Sequence, residues 1–453
     1  MSPVSRSRKP KKNRQSSGGK RSGNPASAKN IPALGERSGL SSGNPFARPS
    51  GLSFLQQLAQ GQPARRDWFG PSFSVLLDEA EVLLGAEGPR RLEDMTAGLL
   101  GARVHQAVQE GRPLALGDWI GGLIDAAEER ARERLVSGVP GGQAALLLLY
   151  GLSSVGSPAI AHAALEAVSR LRPVVRGSQV LSALPQWRDA VAKLRMTGDI
   201  WALRDVYGSR LGVIAATVYP GGMDPAVYLF DIDACGFVVL AGGGTYDDVE
   251  QAAEAWRAAV GAAAAGAGAK PLAEAGTEAL RCLTEVDLTE ISIFGTEPRA
   301  VWDEWFRALR RIHDVSAALE RRGSSLPAAI DLYHDVDVTP TLEAFTAWLQ
   351  QRRSETIDEE IVEALVAEWL AGVLPDTADS VSPHRIVHNL TLINDWDSSH
   401  PVTIGVKRLL PDWVRFLAWR SGIPQAAADA ALATLAEVSA GGHRAAEHCP
   451  GVH

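Results

Sequence analysis

From Trp68 onward, apolar side chains recur every three or four positions, the spacing of amphipathic helices. Phe73, Leu76, Leu77, Ala80, Leu83 and Leu84 mark one face, with Pro71 suited to a first turn and Gly85 to the end. Leu92, Met95, Leu99, Val104 and Val108 mark a second helix, and Ile120, Leu123, Ile124, Ala127, Ala131 and Leu135 a third. A helical hairpin follows. Leu146–Leu152 supplies one arm, and Ser157-Pro158 caps and opens the other through Ile160, Ala164, Leu165, Val168 and Leu171. No period repeats the hairpin, so a solenoid array is not expected.

Near residue 200 the period changes. Leu211–Tyr219 is rich in small and β-branched residues and stops at Pro220-Gly221-Gly222. Val227–Asp233 stops at Ala234-Cys235-Gly236, and Phe237–Ala241 follows, which predicts a three-stranded antiparallel meander. Gly242-Gly243-Gly244 reads as a flexible turn. Thr245-x-x-Asp248 reads as a capping-box-like start to a helix carrying Val249, Ala252, Ala253, Trp256 and Val260, ended by Gly261. Residues 258–269, Ala/Gly-rich, read as a linker. Helical spacing then returns. Pro298 opens a long helix with Trp302, Trp305, Phe306, Leu309, Ile312 and Leu319, closed by Gly323. Thr339-Pro340, Ser382-Pro383 and Leu410-Pro411 place proline where a first turn accepts it. Trp369, Trp396, Trp413 and Trp419 fall on apolar faces and read as core anchors.

The expected fold is therefore mostly α with a small central α+β module, a three-stranded antiparallel meander plus one helix, behind a disordered N-terminal arm. The expected divisions are a disordered basic arm (1–66), a helical domain (67–195), the α+β module (196–285), a C-terminal helical domain (286–440) and a disordered tail (441–453). The arm contains too little apolar surface to offset the entropy of ordering. Its one apolar island, Leu52, Phe54, Leu55 and Leu58, reads as a transient helix that docks on the body.

Charge sharpens this division. Residues 1–50 hold eleven basic side chains against one acid, a net +10, while the remainder holds 34 basic and 52 acidic, a net −18. Arg6, Arg8, Lys9, Lys11, Lys12, Arg14, Lys20 and Arg21 form a run without an intervening acid. Such a cluster suits a polyanion, nucleic acid or the ribosome, and without aromatics among them contact should be electrostatic, not sequence-reading. A solubilising tail, or one folded onto the acidic body, is the plainer alternative. No apolar stretch follows as in a secretory signal, and the longest aliphatic run, Ala144–Leu149, is far too short to span a bilayer. Three widely spaced cysteines, Cys235, Cys282 and Cys449, exclude a C-x-x-C motif and suit a reducing compartment, so a cytoplasmic location is expected.

Candidate chemistry is sparse. Asp231-Ile-Asp233 would place two carboxylates on one face of a strand, near enough to share a cation, although ordinary turn hydrogen bonding is the plainer account of the pair. His313-Asp314 and His334-Asp335-Val336-Asp337 bring to mind His-Asp metal phosphohydrolases, but the dipeptide is short and helix capping accounts for it. Asp395-Trp396-Asp397-Ser398-Ser399-His400 holds acid, hydroxyl and imidazole too close together for a triad built from separate elements. Near the end, His443, His448, Cys449 and His453 read as a polar tail rather than a metal site. Phosphate-cradling glycine spacings are absent.

Several stretches carry a resemblance. Pro185-x-Trp187, Trp201 and Asp205-Val206-Tyr207-Gly208 precede a first strand, and a second strand ends in Asp231 before a Gly turn and a helix begun by Asp247-Asp248. Farther on stand Ser382-Pro383, Leu390, Trp396, Leu410-Pro411-x-Trp413-Val414-Arg415-Phe416 and Gly422-x-Pro424. In these features, over 140–260 and 380–440, the chain resembles a group of uncharacterised actinobacterial proteins with basic, low-complexity starts. Some relatives look like carriers of a C-terminal zinc motif of the SEC-C type, whose cysteines this chain lacks. The resemblance implies architecture, not an activity.

The expected function is that of a non-enzymatic cytoplasmic binding or adaptor protein with an unidentified protein partner, no cofactor, no resident metal and no membrane. A metal-dependent phosphoester hydrolase using Asp231, Asp233, His334 and Asp337 is the alternative, and a structural subunit of a larger assembly a third reading.

Overall fold

The first helices form because their apolar stripes have one another to cover. In the computed structural model, which describes residues 68–110, 116–137, 141–177, 184–236, 238–286, 299–332, 337–354 and 358–441, these are α1 (Phe69–Glu79), α2 (Pro89–Gln109), α3 (Leu116–Ser137), α4 (Gly142–Val155) and α5 (Pro158–Gly177). The stripe of α1 continues through a 3-10 turn, Ala80–Gly85, so Leu76, Leu77, Ala80 and Leu83 are buried while Leu84 faces solvent. Helix α4 is buried at every position from Ala144 to Val155. A helix apolar on all sides has to lie in the middle, and α3, α5 and α2 pack around it.

The sheet has five strands, not the three that hydrophobic alternation predicted. They are β1 (Arg195–Arg204), β2 (Arg210–Val218), β3 (Ala226–Asp233), β4 (Val239–Tyr246) and β5 (Lys270–Pro271), antiparallel throughout in the order β4-β3-β2-β1-β5. Strand β1 escaped notice because Arg195, Thr197 and Asp199 point to solvent and its pairing slips between Met196 and Ile200. Gly198 makes that irregularity possible. Its φ is +91°, and a Cβ there would lie 2.5 Å from Arg322 Nε.

The Gly242–Gly244 run is not a turn. It lies inside β4, with Gly243 opposite Phe230, where a Cβ would come within 2.9 Å of the Leu229 carbonyl. Thr245 accordingly belongs to the strand, and the cap of α6 (Val249–Val260) is Asp248, whose carboxylate accepts the Gln251 N–H at 2.9 Å. The predicted linker is partly ordered core. Gly261–Ala264 forms a 3-10 turn, and Ala264, Ala267 and Ala269 pack around the fully buried Trp256 of α6.

Both faces of the sheet are covered, which explains why every residue of β3 is buried. Leu203, Ile214, Val227 and Leu229 meet α6 on one side. Val213, Ala215, Tyr228, Phe230 and Ile232 meet α7 (Arg299–Arg321) on the other, through Ala308, Val315, Ala318 and Leu319. Helix α7 also reaches the first helical layer, where Trp302 and Phe306 join the core of α1–α5.

The C-terminal helices, α8 (Thr339–Gln350), α9 (Glu359–Leu370), α10 (Pro383–Asn394), α11 (Pro401–Ser421) and α12 (Gln425–Ser439), gather around Phe345, Trp369, Trp413 and Phe416. Pro340 and Pro383 occupy first turns as expected, but Pro411 sits inside α11, which begins at Pro401 behind the cap His400. Burial of Leu409, Leu410, Trp413 and Val414 on either side offsets the one hydrogen bond that Pro411 cannot make. Trp369 and Trp413 are core anchors and Trp396 is half-buried, whereas Trp419 is 65% exposed. The buried stripe of α11 passes through Phe416 and Leu417, and Trp419 lies off it, one turn before the helix closes at Gly422.

No described helix is long and apolar enough to cross a membrane.

Candidate functional site

The period of two along β3 does what the sequence suggested: Asp231 and Asp233 point to the same side. Both are almost fully buried, and what meets them is an arginine. On β2, Arg210 stands opposite Asp233 in register and donates to both oxygens of Asp231, Nε–Oδ1 at 2.7 Å and Nη2–Oδ2 at 2.9 Å. Its Nη1 reaches Asp233 Oδ2 at 3.2 Å. A bidentate fork of this kind satisfies a buried carboxylate in full and leaves Asp231 little capacity for a cation.

Asp233 has further company. His384 Nδ1 lies 2.8 Å from its Oδ2, and the Cys235 N–H donates to its Oδ1 at 2.8 Å. Burial alone would push the Asp233 carboxyl up, but His384 and Arg210 outweigh it and hold the group well below the usual carboxylate range. Cys235 Sγ lies 3.1 Å from Ser382 Oγ, and the same hydroxyl caps α10 by accepting the Arg385 N–H at 3.1 Å. The cluster thus joins the β3–β4 turn to the first turn of α10.

That first turn is fixed from behind by Arg385, which is completely buried and donates to the carbonyls of Thr377 and Trp369 at 2.6 and 2.7 Å. With backbone oxygens as partners, burial lowers its pKa to about 10. Arg385 positions the helix, and the helix positions His384.

Cys235, His384 and Asp233 have the composition of a nucleophile, a base and its orienting acid. Their environment argues against that use. Cys235 is 5% exposed, and burial followed by the negative charge of Asp233 pushes its thiol up, where a nucleophilic cysteine needs a lowered value.

Asp205 closes the other edge of the cluster. Its Oδ1 accepts the N–H groups of Ser209 and Arg210 at 2.8 and 3.0 Å, shaping the β1–β2 turn. Burial is the main cause that raises its pKa to about 6, from an ordinary value near 3.8, and Asp233 adds to the rise. An acid with a raised folded-state value contributes stability that is complete below its unfolded value and is lost as pH rises through about 6. Asp205→Asn, which keeps the accepting oxygen, should therefore match the wild type near pH 4 and exceed it by about 1–3 kcal/mol at pH 7.5. Urea unfolding at the two pH values measures this, and a difference independent of pH would contradict it.

The other sequence candidates lie apart from this cluster. Asp337 is exposed and accepts the Thr339 N–H at 3.0 Å, and His334 and Asp335 fall outside the described residues. His313 is exposed, while Asp314 pairs with Arg310 and Arg311. Asp397 accepts from the Ser399 backbone and hydroxyl, and His400 Nδ1 accepts the Val402 N–H at 3.3 Å, so this run shapes a turn and a cap. The basic run Arg6–Arg21, the island Leu52–Leu58 and the tail residues His443, His448, Cys449 and His453 also lie outside the described residues.

Sequence reading missed Arg210 and His384, and placed Ser382 only as the start of a helix, which it caps. Arg210 could have been found by aligning the two predicted strands, which puts a cation opposite Asp233. His384 had a weaker signal, standing four residues before His388 just after a helix-starting Ser-Pro. Compared with known proteins, the chain matches no family model, no curated protein and no solved structure.

Proposed function

We propose that the chain is a non-enzymatic binding or adaptor protein, attached weakly to a polyanion, nucleic acid or the ribosome, through its basic N-terminal segment. The helical body would present the surface for a protein partner. The observation that most supports the body's share is on α11. Ile404 is 56% and Trp419 65% exposed, and with Arg408 and Arg415 they fall at helical spacings along one line. Large apolar side chains interleaved with arginine are the composition of an interface anchor. Meanwhile Arg210 pairs with Asp231 and Asp233, the two carboxylates on which the hydrolase reading depends.

The arm is tested by titrating a DNA duplex with the full chain and with a chain lacking residues 1–50, over a series of salt concentrations. For the full chain, log affinity should fall by about 0.9 per log salt for each phosphate neutralised. The shortened chain should show a slope near zero. Equal binding by both chains would remove the arm from this reading. For the body, Trp419→Ala should change folding stability by less than about 1 kcal/mol, since solvent already surrounds most of the ring. A larger loss in thermal unfolding would make Trp419 a packing residue instead of an anchor.

A further inference from the structure

We propose that Asp233, Cys235 and His384 form a binding site for a transition-metal ion of the zinc type, holding the β3–β4 turn to α10. The inference goes beyond the binding role above and does not depend on it. One ligand atom from each residue, a carboxylate oxygen, a thiol sulfur and an imidazole nitrogen, lies within 4.8 Å of the other two. Donors around a tetrahedral zinc ion are about 3.3–3.8 Å apart, given metal–ligand bonds of about 2.0–2.3 Å. His384 Nδ1 and Asp233 Oδ2, at 2.8 Å, need to part only slightly, and Cys235 Sγ needs to close by an ångström or so. Side-chain rotation supplies movements of that size.

The donor set selects the metal. Magnesium and calcium ask for six or more oxygens, whereas one sulfur, one nitrogen and one oxygen suit zinc or cobalt. Two more donors stand at the edge. Ser382 Oγ is 3.1 Å from Cys235 Sγ. His388, one turn along α10 from His384, packs so closely on the residue after Cys235 that a Cβ at Gly236 would lie 2.4 Å from its Nε2.

The surroundings are those of an outer shell. Arg210 and the Cys235 N–H already orient the Asp233 carboxylate, as groups behind metal ligands do. Charge is favourable too: with Cys235 as a thiolate, the negative charges of Asp231, Asp233 and Cys235 match those of Arg210 and a divalent ion. This assigns Asp231 a part: it cancels Arg210 and leaves Asp233 and Cys235 to the metal.

The test uses the full chain carrying Cys449→Ser, which removes the thiol nearest the terminal histidines. Titrated with cobalt(II), this protein should take up one ion and develop a thiolate-to-cobalt charge-transfer band. Adding Cys235→Ser should abolish the band, and adding His384→Gln should weaken cobalt binding at least about tenfold. Absence of the band in the Cys449→Ser protein, or its survival after Cys235→Ser, would overturn the proposal. If Cys235→Ser does not fold, thiol labelling of the Cys449→Ser protein replaces it. Zinc should slow maleimide modification of Cys235 about tenfold more than that of Cys282, which is also buried but joins no such group among the described residues. Equal slowing at both cysteines would refute the site.

Discussion

Arg311→Ala is expected to cost about 3–5 kcal/mol of folding stability, because it strands a buried acid. Arg311 and Glu93 are each almost wholly enclosed, Arg311 on α7 and Glu93 on α2, and they pair directly. Burial alone would push the Glu93 carboxyl up, but Arg311 and the Ser154 hydroxyl outweigh it and keep the group ionised. Arg311 also holds Asp314 at 2.7 Å. Truncation removes the cation and leaves a carboxylate with no solvent to receive it. The loss would fall on the joint between the helical layer and the sheet, since Arg307 beside it links Glu304 and Asp94, and Glu304 accepts from Tyr228 of β3 at 2.9 Å. The cause is separable from lost packing. Glu93→Leu combined with Arg311→Met should recover more than half of the loss, because two apolar groups can replace a buried pair that neither can leave alone. Urea unfolding of the two single variants and the double variant measures the coupling. If the double variant were as unstable as the sum of its parts, the stranded charge would not be the reason.

This joint also shows where sequence reading stops. The helices of the first layer were legible because their stripes repeat locally, and α4 was legible as an apolar run although its place at the centre was not. The common face of Asp231 and Asp233 followed from the period of a strand. What they face did not follow, since His384 arrives from a helix far along the chain and no local rule brings it there. Strand β1 was hidden by the polar side chains of its exposed face and the slip at Gly198. The glycines of β4 looked like a turn for a tertiary reason, the close approach of the Leu229 carbonyl. Trp419 looked like core because a broad helical stripe blurs at its margin, and only the positions of neighbouring helices decide which tryptophan is covered. Long-range pairing, not local propensity, accounts for most of what was missed.

Trp413→Ala should cost about 3–5 kcal/mol, in contrast to the small effect expected at Trp419 six residues on. Trp413 is fully buried at the centre of the C-terminal helices. Its ring meets Phe345 edge-on at 4.8 Å, Trp369 edge-on at 6.0 Å and Phe416 tilted at 5.5 Å. Removing it deletes three aromatic contacts at once and opens a cavity that α8, α9 and α11 together would have to collapse to fill. Trp413→Phe is the informative companion. The indole N–H meets no acceptor among the described residues, so phenylalanine removes a polar group that was not satisfied and retains most of the ring contact. It should cost no more than about half as much. Chemical unfolding followed by tryptophan fluorescence and circular dichroism distinguishes the two, and equal losses would mean that the N–H carries a hydrogen bond after all. The same core fixes α10, whose Arg385 donates to the Trp369 carbonyl directly beneath this cluster. Loosening it should free His384 from Asp233, so Trp413→Ala is also expected to weaken cobalt binding, whereas Trp419→Ala should leave it unchanged.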